Sequence, residues 1–555
     1  MEDFLRTKKI PPQNIVLRLA NRQVFGAKKP GTHFHTARQF YQNLFPNFTI
    51  INVEKPPCFL RKFSPDGKYC IAFSADQTFL EVYTYQGAAA AADLLHYVNE
   101  NRNYQKITEV KNQIFDRFFK LKYSICVSHG SEQLNRECSL FSEDGRYVII
   151  GSAAFIPEEI RPHFYEIYTN NEAITPNIKS PLEDYTLYLI DLHNGKLCDT
   201  RQFKVDKIYL SHNQGLYLYK DTLAVLSVQH QSIHIFQILE GMFVNIKTIG
   251  RYCFEDDHYI YSSIYPHERA FRETSINSLK HRIQSFLFHR AKSLGPSDLR
   301  RFYYFFDIIN SLRIWKMQLL DENHLLLKYT TEDTVTMKIP DGNSQPAFFV
   351  VFHIIECKVI AVYENTSRRL LQLLEDFCDS FRNVNIYCAT HFTCSPSNNL
   401  YAKLLQQRFK QTIISAKFGG KNEATKRILA QLPISAQSYS SSPYLDFSLF
   451  SYDDKWVSVL ERPKAWGEHP IRFYSRDSGF LKFRIYAGTM GRSLLPSTRR
   501  LVAFTFHPTD PFAISVQRTN AEYIVNFHIA CDNVNSVLHD ESDEYGDIHV
   551  LNFSQ

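Results

Sequence analysis

With 555 residues, 44% of them apolar and 14% aromatic, the chain has ample material for a large buried core, which excludes a disordered polymer. A formal net charge of +6 is small for that length and argues against a dedicated nucleic-acid binder, which concentrates Lys and Arg on one face. The eleven cysteines are scattered with no Cys-x-x-Cys pair, no apolar run is long enough for a membrane span, and MEDFLRTKK has no signal-peptide core. An intracellular, soluble protein with free thiols is therefore expected.

In chain order, residues 1–46 read as a helical arm. NIVLRLANRQ (14–23) places Ile15 and Leu19 one helical turn apart, with Arg18 and Arg22 on the adjoining flank. Asn14 is a credible N-cap after Pro11-Pro12, and Gly26 is a stop. So short a helix is marginal alone and needs a surface to dock on. A second helix-compatible stretch, 32–45, carries Phe34, Phe40, Tyr41 and Leu44, and a strand is expected from Phe48 to Val53.

The repeating unit begins in FSPDGKYCIAFSADQTFLEVY (63–83), where Ser64-Pro65-Asp66-Gly67 makes a turn and two strands follow. Related patterns return at 140–153, 211–238, 450–474 and 504–529, with further strand pairs at 319–329, 334–339 and 348–362. Asn194-Gly195 predicts a two-residue type I′ hairpin turn. A sheet unit of this kind cannot bury both faces without neighbours like itself, which a propeller supplies. The expected fold is all-β dominated: a divergent WD40-like β-propeller of seven blades over 47–530. Val82-Tyr83 stands where the Trp-Asp dipeptide usually lies, and the preceding Gly-His is missing.

Residues 87–120, with an alanine run at 88–92, read as an interruption. Helical insertions are expected at about 270–317, 366–382 and 397–432. The first is an αα-hairpin, 275–292 and then a very aromatic helix over 298–317 with Phe302, Tyr303 and Phe306. Packing on its own sheet is the leading reading of that helix; the other is a partner surface. The tail, 531–555, has six Asp or Glu and no Lys or Arg, and reads as disordered.

No phosphate loop, dinucleotide fingerprint, nucleophile elbow or kinase signature is present. Cys388-x-x-His391-x-x-Cys394 lacks a partner pair at zinc-site spacing, and His33/His35 reads as a surface pair. Glu255-Asp256-Asp257-His258 has no nearby nucleophile and reads as a solvated loop. No catalytic residue, metal or cofactor is expected. The short basic clusters at 6–9, 28–29 and 499–500 read as solvated.

Long blocks of this chain resemble the De-etiolated-1 family. They include NLFPNFTIINVEKPPCFLRKFSPDGKYCIAFSADQT, LNRECSLFSEDGRYVIIGSAA, SPLEDYTLYLIDLHNGKLCDTR, QLPISAQSYSSSPYLDFSLFSYDDKWVSVLERP and RRLVAFTFHPTDPFAISVQRTNAEYIVNFH, and the resemblance runs from about 10 to 529. It implies a non-catalytic subunit of a cullin-4 RING ubiquitin ligase, nuclear and also cytoplasmic. The implied partners are the large subunit of the damage-specific DNA-binding protein, which is the ligase adaptor, and the small De-etiolated- and adaptor-associated protein. A ubiquitin-conjugating enzyme and the constitutive photomorphogenic RING ligase complete the set. NIVLRLANRQVFG resembles the helical box with which several receptors enter the adaptor, which makes Ile15, Arg18, Leu19 and Arg22 the expected adaptor contacts. The alternative is a chromatin- or histone-binding transcriptional repressor.

Overall fold

The computed structural model describes residues 40–94, 112–128, 132–157, 162–176, 181–254, 277–337, 345–383, 399–435, 442–454, 470–486, 501–519 and 523–530. Shorter pieces include Val16, Leu19, Ala20, Gln23 and Val24 of the N-terminal stretch.

Turn chemistry sets the repeat. Ser64 Oγ donates to Asp66 Oδ1 (2.6 Å), the same carboxylate oxygen accepts Lys68 N (3.2 Å), and Tyr69 N donates to Ser64 Oγ (3.0 Å). Ser142, Asp144, Arg146 and Tyr147 repeat this with bonds of 2.5, 3.0 and 2.8 Å. Each turn closes on a glycine with positive φ, Gly67 at 77° and Gly145 at 70°. Side-chain bonds that satisfy the turn's own amides let the flanking residues enter strands at a defined angle.

Strand β1 (Phe48–Ile51) precedes four antiparallel strands paired in chain order: β2 (Cys58–Phe63), β3 (Tyr69–Ser74), β4 (Phe79–Tyr85) and β5 (Phe119–Cys126). The second sheet pairs β6 (Gln133–Leu134) and β7 (Leu140–Phe141) with β8 (Tyr147–Phe155), then β9 (Glu183–Asp191) and β10 (Lys196–Asp206). The third holds β11 (Leu216–Tyr219), β12 (Thr222–Ser227), β13 (Ser232–Leu239) and β14 (Met242–Ile249). The fourth holds β15 (Arg313–Leu319), β16 (His324–Thr330), β17 (Ala347–His353) and β18 (Lys358–Glu364). After β19 (Phe450–Ser451) and β20 (Arg462–Pro463), β21 (Ile471–Ser475) and β22 (Leu481–Ile485) join β19 in the fifth sheet. The sixth runs β20, then β23 (Leu501–Phe506), β24 (Phe512–Arg518), β25 (Tyr523–Ile529), β1 and β26 (Val550–Asn552). The protein is thus mostly β-sheet, with several four-stranded antiparallel sheets and helices between them.

Neighbouring sheets share their buried faces. Ile71, Leu80 and Val82 pack with Val148, Ile150 and Ile190. Leu187 and Leu189 pack with Leu223, Val225 and Ile235, and that core extends to Leu325, Leu327 and Val350. Phe473 and Phe483 meet Phe504 and Phe506, while Phe512 and Phe527 meet Phe63 and Phe119. Strand β1 joins the two ends of the chain: Phe48, Thr49 and Ile50 stand opposite Ile529, His528 and Phe527. A buried polar chain accompanies this register. Thr49 Oγ1 lies 3.0 Å from His528 Nδ1, His528 Nε2 lies 2.9 Å from Ser515 Oγ, and Asn526 Nδ2 donates to Ser515 Oγ (3.1 Å).

The helices whose two ends both lie within the described residues include α1 (Phe164–Ile167), α2 (Leu279–Leu294), α3 (Pro296–Tyr304), α4 (Phe306–Ser311), α5 (Glu332–Met337), α6 (Arg368–Asp376), α7 (Cys378–Phe381), α8 (Leu400–Ser415) and α9 (Lys421–Leu429). Leu370, Leu374, Ile428 and Leu429 cover Leu326 and Phe349 of the fourth sheet. Helix α8 also reaches the fifth: its N-cap Asn399 donates to Asp446 Oδ1 (2.7 Å), and Arg476 lies 4.4 Å over the Tyr401 ring.

Six sheets are present among the described residues; seven blades are expected over the whole chain. Three expectations change. The aromatic helix predicted through Met317 stops at Ser311, because Ile314 N is taken by Gln231 Oε1 (2.6 Å) and β15 pairs along β16. The strand predicted over 334–339 gives way to α5, where the Thr334 and Val335 amides bond the Thr331 carbonyl (3.1 and 3.3 Å) and Glu332 and Asp333 occupy the first turn. The Asn194-Gly195 turn is not type I′, which needs positive φ at both residues; only Gly195 has it, at 65°. Asp191 builds a longer loop instead, its Oδ1 accepting His193 N (2.8 Å) and Asn194 N (3.2 Å).

Candidate partner-docking surfaces

Of the four N-terminal candidates, Leu19 is helical and 50% exposed; Ile15, Arg18 and Arg22 lie outside the described residues. Val16 and Val24, which the sequence reading left out, are helical too and 66% and 71% exposed. Positions 16, 19, 20 and 24 fall at the i, i+3, i+4, i+8 spacing of one helical flank, so an apolar stripe faces water. That spacing was available in the sequence; the pair Ile15 and Leu19 drew attention to the neighbouring flank. By contrast, Tyr41 and Phe45 pack on Tyr444 and Phe483 (5.7 and 5.6 Å between ring centroids), and Tyr444 Oη donates to the Leu44 carbonyl (2.6 Å).

The second candidate is the helical hairpin α2 to α4. Ser278 caps α2 by accepting His281 N (3.1 Å), and Leu279, Ile283, Leu287 and Ala291 bury its inner face. Gly295, at φ 125°, turns the chain into α3, with Pro296 in the first turn. Ions fix the base: Glu172 lies 3.4 Å from Lys280 and 3.2 Å from Arg313, and Lys280 Nζ donates to the Asn310 and Leu312 carbonyls. Burial pulls the Lys280 pKa down to about 8 despite that carboxylate.

The three aromatic candidates on this hairpin separate. Phe302 is 9% exposed, wedged against Phe288 and Phe306, whereas Tyr303 is 61% and Phe306 37% exposed. Tyr304, at 80% exposure, and Phe305 and Ile308 extend the open patch. A cleft of about 310 Å³ lies beside them, lined by Leu287, Leu294, Phe302, Phe305, Ile308 and Phe348 among others. The exposed aromatic side chains of the hairpin are thus Tyr303, Tyr304 and Phe306, and Phe302 is packing.

A family model for De-etiolated protein 1 (Det1) matches residues 136–531. The light-mediated development protein DET1 of Solanum lycopersicum is 32% identical over 541 residues, covering 93% of this chain and 98% of that protein. The chain belongs to the Det1 family. The Arabidopsis thaliana DET1 protein is 31% identical with the same coverage. Among solved structures, the WD40 domain of Toxoplasma gondii coronin overlays 88% of this chain and 85% of its own, at 8% identity and a TM-score of 0.22, too loose to carry an argument.

The names of these Det1 relatives speak of development and of no chemistry. Among the described residues no group of three or more His, Cys, Asp or Glu side chains could hold a metal. Cys388, His391, Cys394, His33, His35, Glu255 and His258 lie outside the described residues, while Asp257 is buried. The eight described cysteines are free, six of them buried, and burial pushes the thiol of Cys58 up to about 11 and that of Cys138 to about 12. Thiols held neutral in this way are poor nucleophiles. The surface of this Det1-family chain presents exposed apolar and aromatic side chains at the N-terminal helix and on the helical hairpin.

Proposed function

We propose that this Det1-family chain is a non-catalytic scaffold and substrate-receptor subunit of a cullin-4 RING ubiquitin ligase. It docks on the adaptor, the large subunit of the damage-specific DNA-binding protein, through its N-terminal helical arm. Ile15 and Leu19 enter an apolar pocket of the adaptor while Arg18 and Arg22 meet carbonyl or acidic groups at its rim. The four-stranded sheets act as blades of a divergent WD40-like propeller. The small De-etiolated- and adaptor-associated protein, a ubiquitin-conjugating enzyme and the photomorphogenic RING ligase dock on outer surfaces, Tyr303 and Phe306 among them. The assembly works in the nucleus to direct transcription regulators to degradation.

The observation that carries this reading is the open stripe Val16, Leu19, Ala20, Val24 ahead of β1. Covering the exposed parts of Val16, Leu19 and Val24 contributes about 3–5 kcal/mol, at about 1.5–3 kcal/mol for each fully buried side chain. That is enough to anchor a helix that is marginal alone.

Affinity purification of the full chain with mass spectrometry tests the reading. Recovery of the adaptor and cullin-4, and their loss on deleting residues 1–39, is expected. Stopping the deletion before Tyr41 and Phe45 spares their packing on the fifth sheet. Undiminished recovery with the deleted chain overturns the docking site.

A further inference from the structure

Two of the buried cysteines meet across a boundary between sheets. Cys253 lies just after β14 of the third sheet, and Cys357 sits in the turn between β17 and β18 of the fourth, 104 residues further on. Cys357 Sγ donates to the Cys253 carbonyl (2.9 Å), and the two thiols share a hydrogen bond with each other. Cys357 holds a left-handed backbone conformation, φ 51°, which glycine or asparagine adopts at lower cost in a turn. Its side chain is nevertheless fully buried, against the other cysteine.

The surroundings differ from those of Cys58 and Cys138. Lys247 Nζ donates to the Ile354 and Ile355 carbonyls of the same turn (3.1 and 3.3 Å), and Arg282 of α2 donates to the Cys357 carbonyl (2.8 Å). Both cations also lie over the Phe254 ring, at 5.2 and 5.0 Å. The hydrogen bond from Cys253, with Lys247 and Arg282 beside it, favours the Cys357 thiolate against the effect of burial. A cavity of about 370 Å³, lined by Lys247, Cys253 and Phe254 among others, reaches the pair and is large enough for a small oxidant.

We propose that Cys253 and Cys357 are a site of reversible oxidation, forming a disulfide that staples the third sheet to the fourth when the protein meets hydrogen peroxide. One sulfur, as thiolate, attacks a peroxide oxygen; the O–O bond breaks, and the leaving hydroxide takes a proton to become water. The resulting sulfenic acid is attacked at sulfur by the second cysteine, which gives up its proton as the hydroxyl departs as water. Two thiols and one peroxide thus give one disulfide and two waters, the two electrons passing from sulfur to peroxide. The link would lie at the foot of the helical hairpin, where Leu279 N donates to the Gly250 carbonyl (2.8 Å). The assignment does not rest on the ligase reading, since it concerns the purified chain alone.

Peptide mass spectrometry of the full chain tests it, after graded hydrogen peroxide and blocking of the remaining thiols with N-ethylmaleimide. A peptide pair joined through Cys253 and Cys357 is expected, lost on dithiothreitol, at peroxide doses that leave Cys58 and Cys138 reduced. Oxidation is also expected to raise the melting temperature by several degrees, since the link closes a loop of about 100 residues. Cys357→Ala, and independently Cys253→Ala, should abolish both the linked peptide and the rise, while the exposed Cys126 and Cys198 still react. The absence of the linked peptide in the wild type at doses that oxidise Cys126 and Cys198 overturns the proposal. So does a link that forms as readily in urea-unfolded chain, or Cys357 driven to sulfinic acid while Cys253 stays reduced.

Discussion

Replacing Ile50 with alanine probes the strand that ties the chain's two ends together. Ile50 is fully buried in the cluster that contains Phe48, Phe512 and Phe527, and stands opposite Phe527 in the β1–β25 register. The change removes three carbons, about 2.4 kcal/mol at about 0.8 each, and the cavity left among rigid rings raises the cost to about 3–4 kcal/mol. That is a large fraction of the stability of an ordinary domain. Urea unfolding followed by circular dichroism reads it, with Met242→Ala, at a 53% exposed site, expected to stay within about 0.5 kcal/mol of the parent. Deleting residues 1–39 should leave unfolding unchanged, whereas deleting 1–53 should abolish the cooperative transition. An Ile50→Ala loss below about 1 kcal/mol, or a normal transition after the longer deletion, refutes the idea that β1 holds the sixth sheet.

Stability should also fall on acidification. His528 is buried between the Thr49 and Ser515 hydroxyls, and burial lowers its pKa from 6.5 to about 3; burial also lowers that of His234, to about 4. The unfolded chain takes up protons below about pH 6.5 that the folded chain refuses, so stability drops by about 2 kcal/mol per histidine between pH 6.5 and 5. His528→Gln should flatten the slope of urea midpoint against pH, and an unchanged slope contradicts the assignment. Gly67→Ala should cost more than Gly479→Ala in thermal melts: both have positive φ, but only at Gly67 does a Cβ meet the His507 ring, at 2.5 Å. Equal losses would show that backbone strain alone decides. Phe302→Ala should cost about 3–5 kcal/mol, while Tyr304→Ser should leave unfolding unchanged; the reverse order contradicts the division of the hairpin into packing and docking.

The strands around Ser64–Gly67 and Ser142–Gly145 were legible because Ser-x-Asp-Gly turns and period-2 strands are local signals. Less legible were features decided over long sequence distances. Nothing local says that Phe48 meets Ile529, or that Gln231 takes the Ile314 amide and starts a strand where aromatic spacing continues a helix. At 331–337 the alternation of Thr and Val masked a helix start, Thr331 followed by two acids, that was there to be read. At Asn194 the carboxylate of Asp191, three residues earlier, outweighed the dipeptide by taking its backbone and side-chain amides. The site divides in the same way. Spacing put Leu19 on a helix, as the structure has it, but which of three neighbouring aromatic residues is packing depended on Phe288, contributed by the other arm of the hairpin.

The central claim is that the N-terminal helix docks the chain on the ligase adaptor. Titration of purified adaptor into the full chain by calorimetry, with wild type beside the Leu19→Asp, Arg22→Glu double variant, tests it most directly. The account predicts saturable one-to-one binding by the wild type and a loss of at least about a hundredfold in the variant, as expected when a buried aliphatic contact becomes a buried charge. Equal affinities for the two chains, with both folded, contradict it.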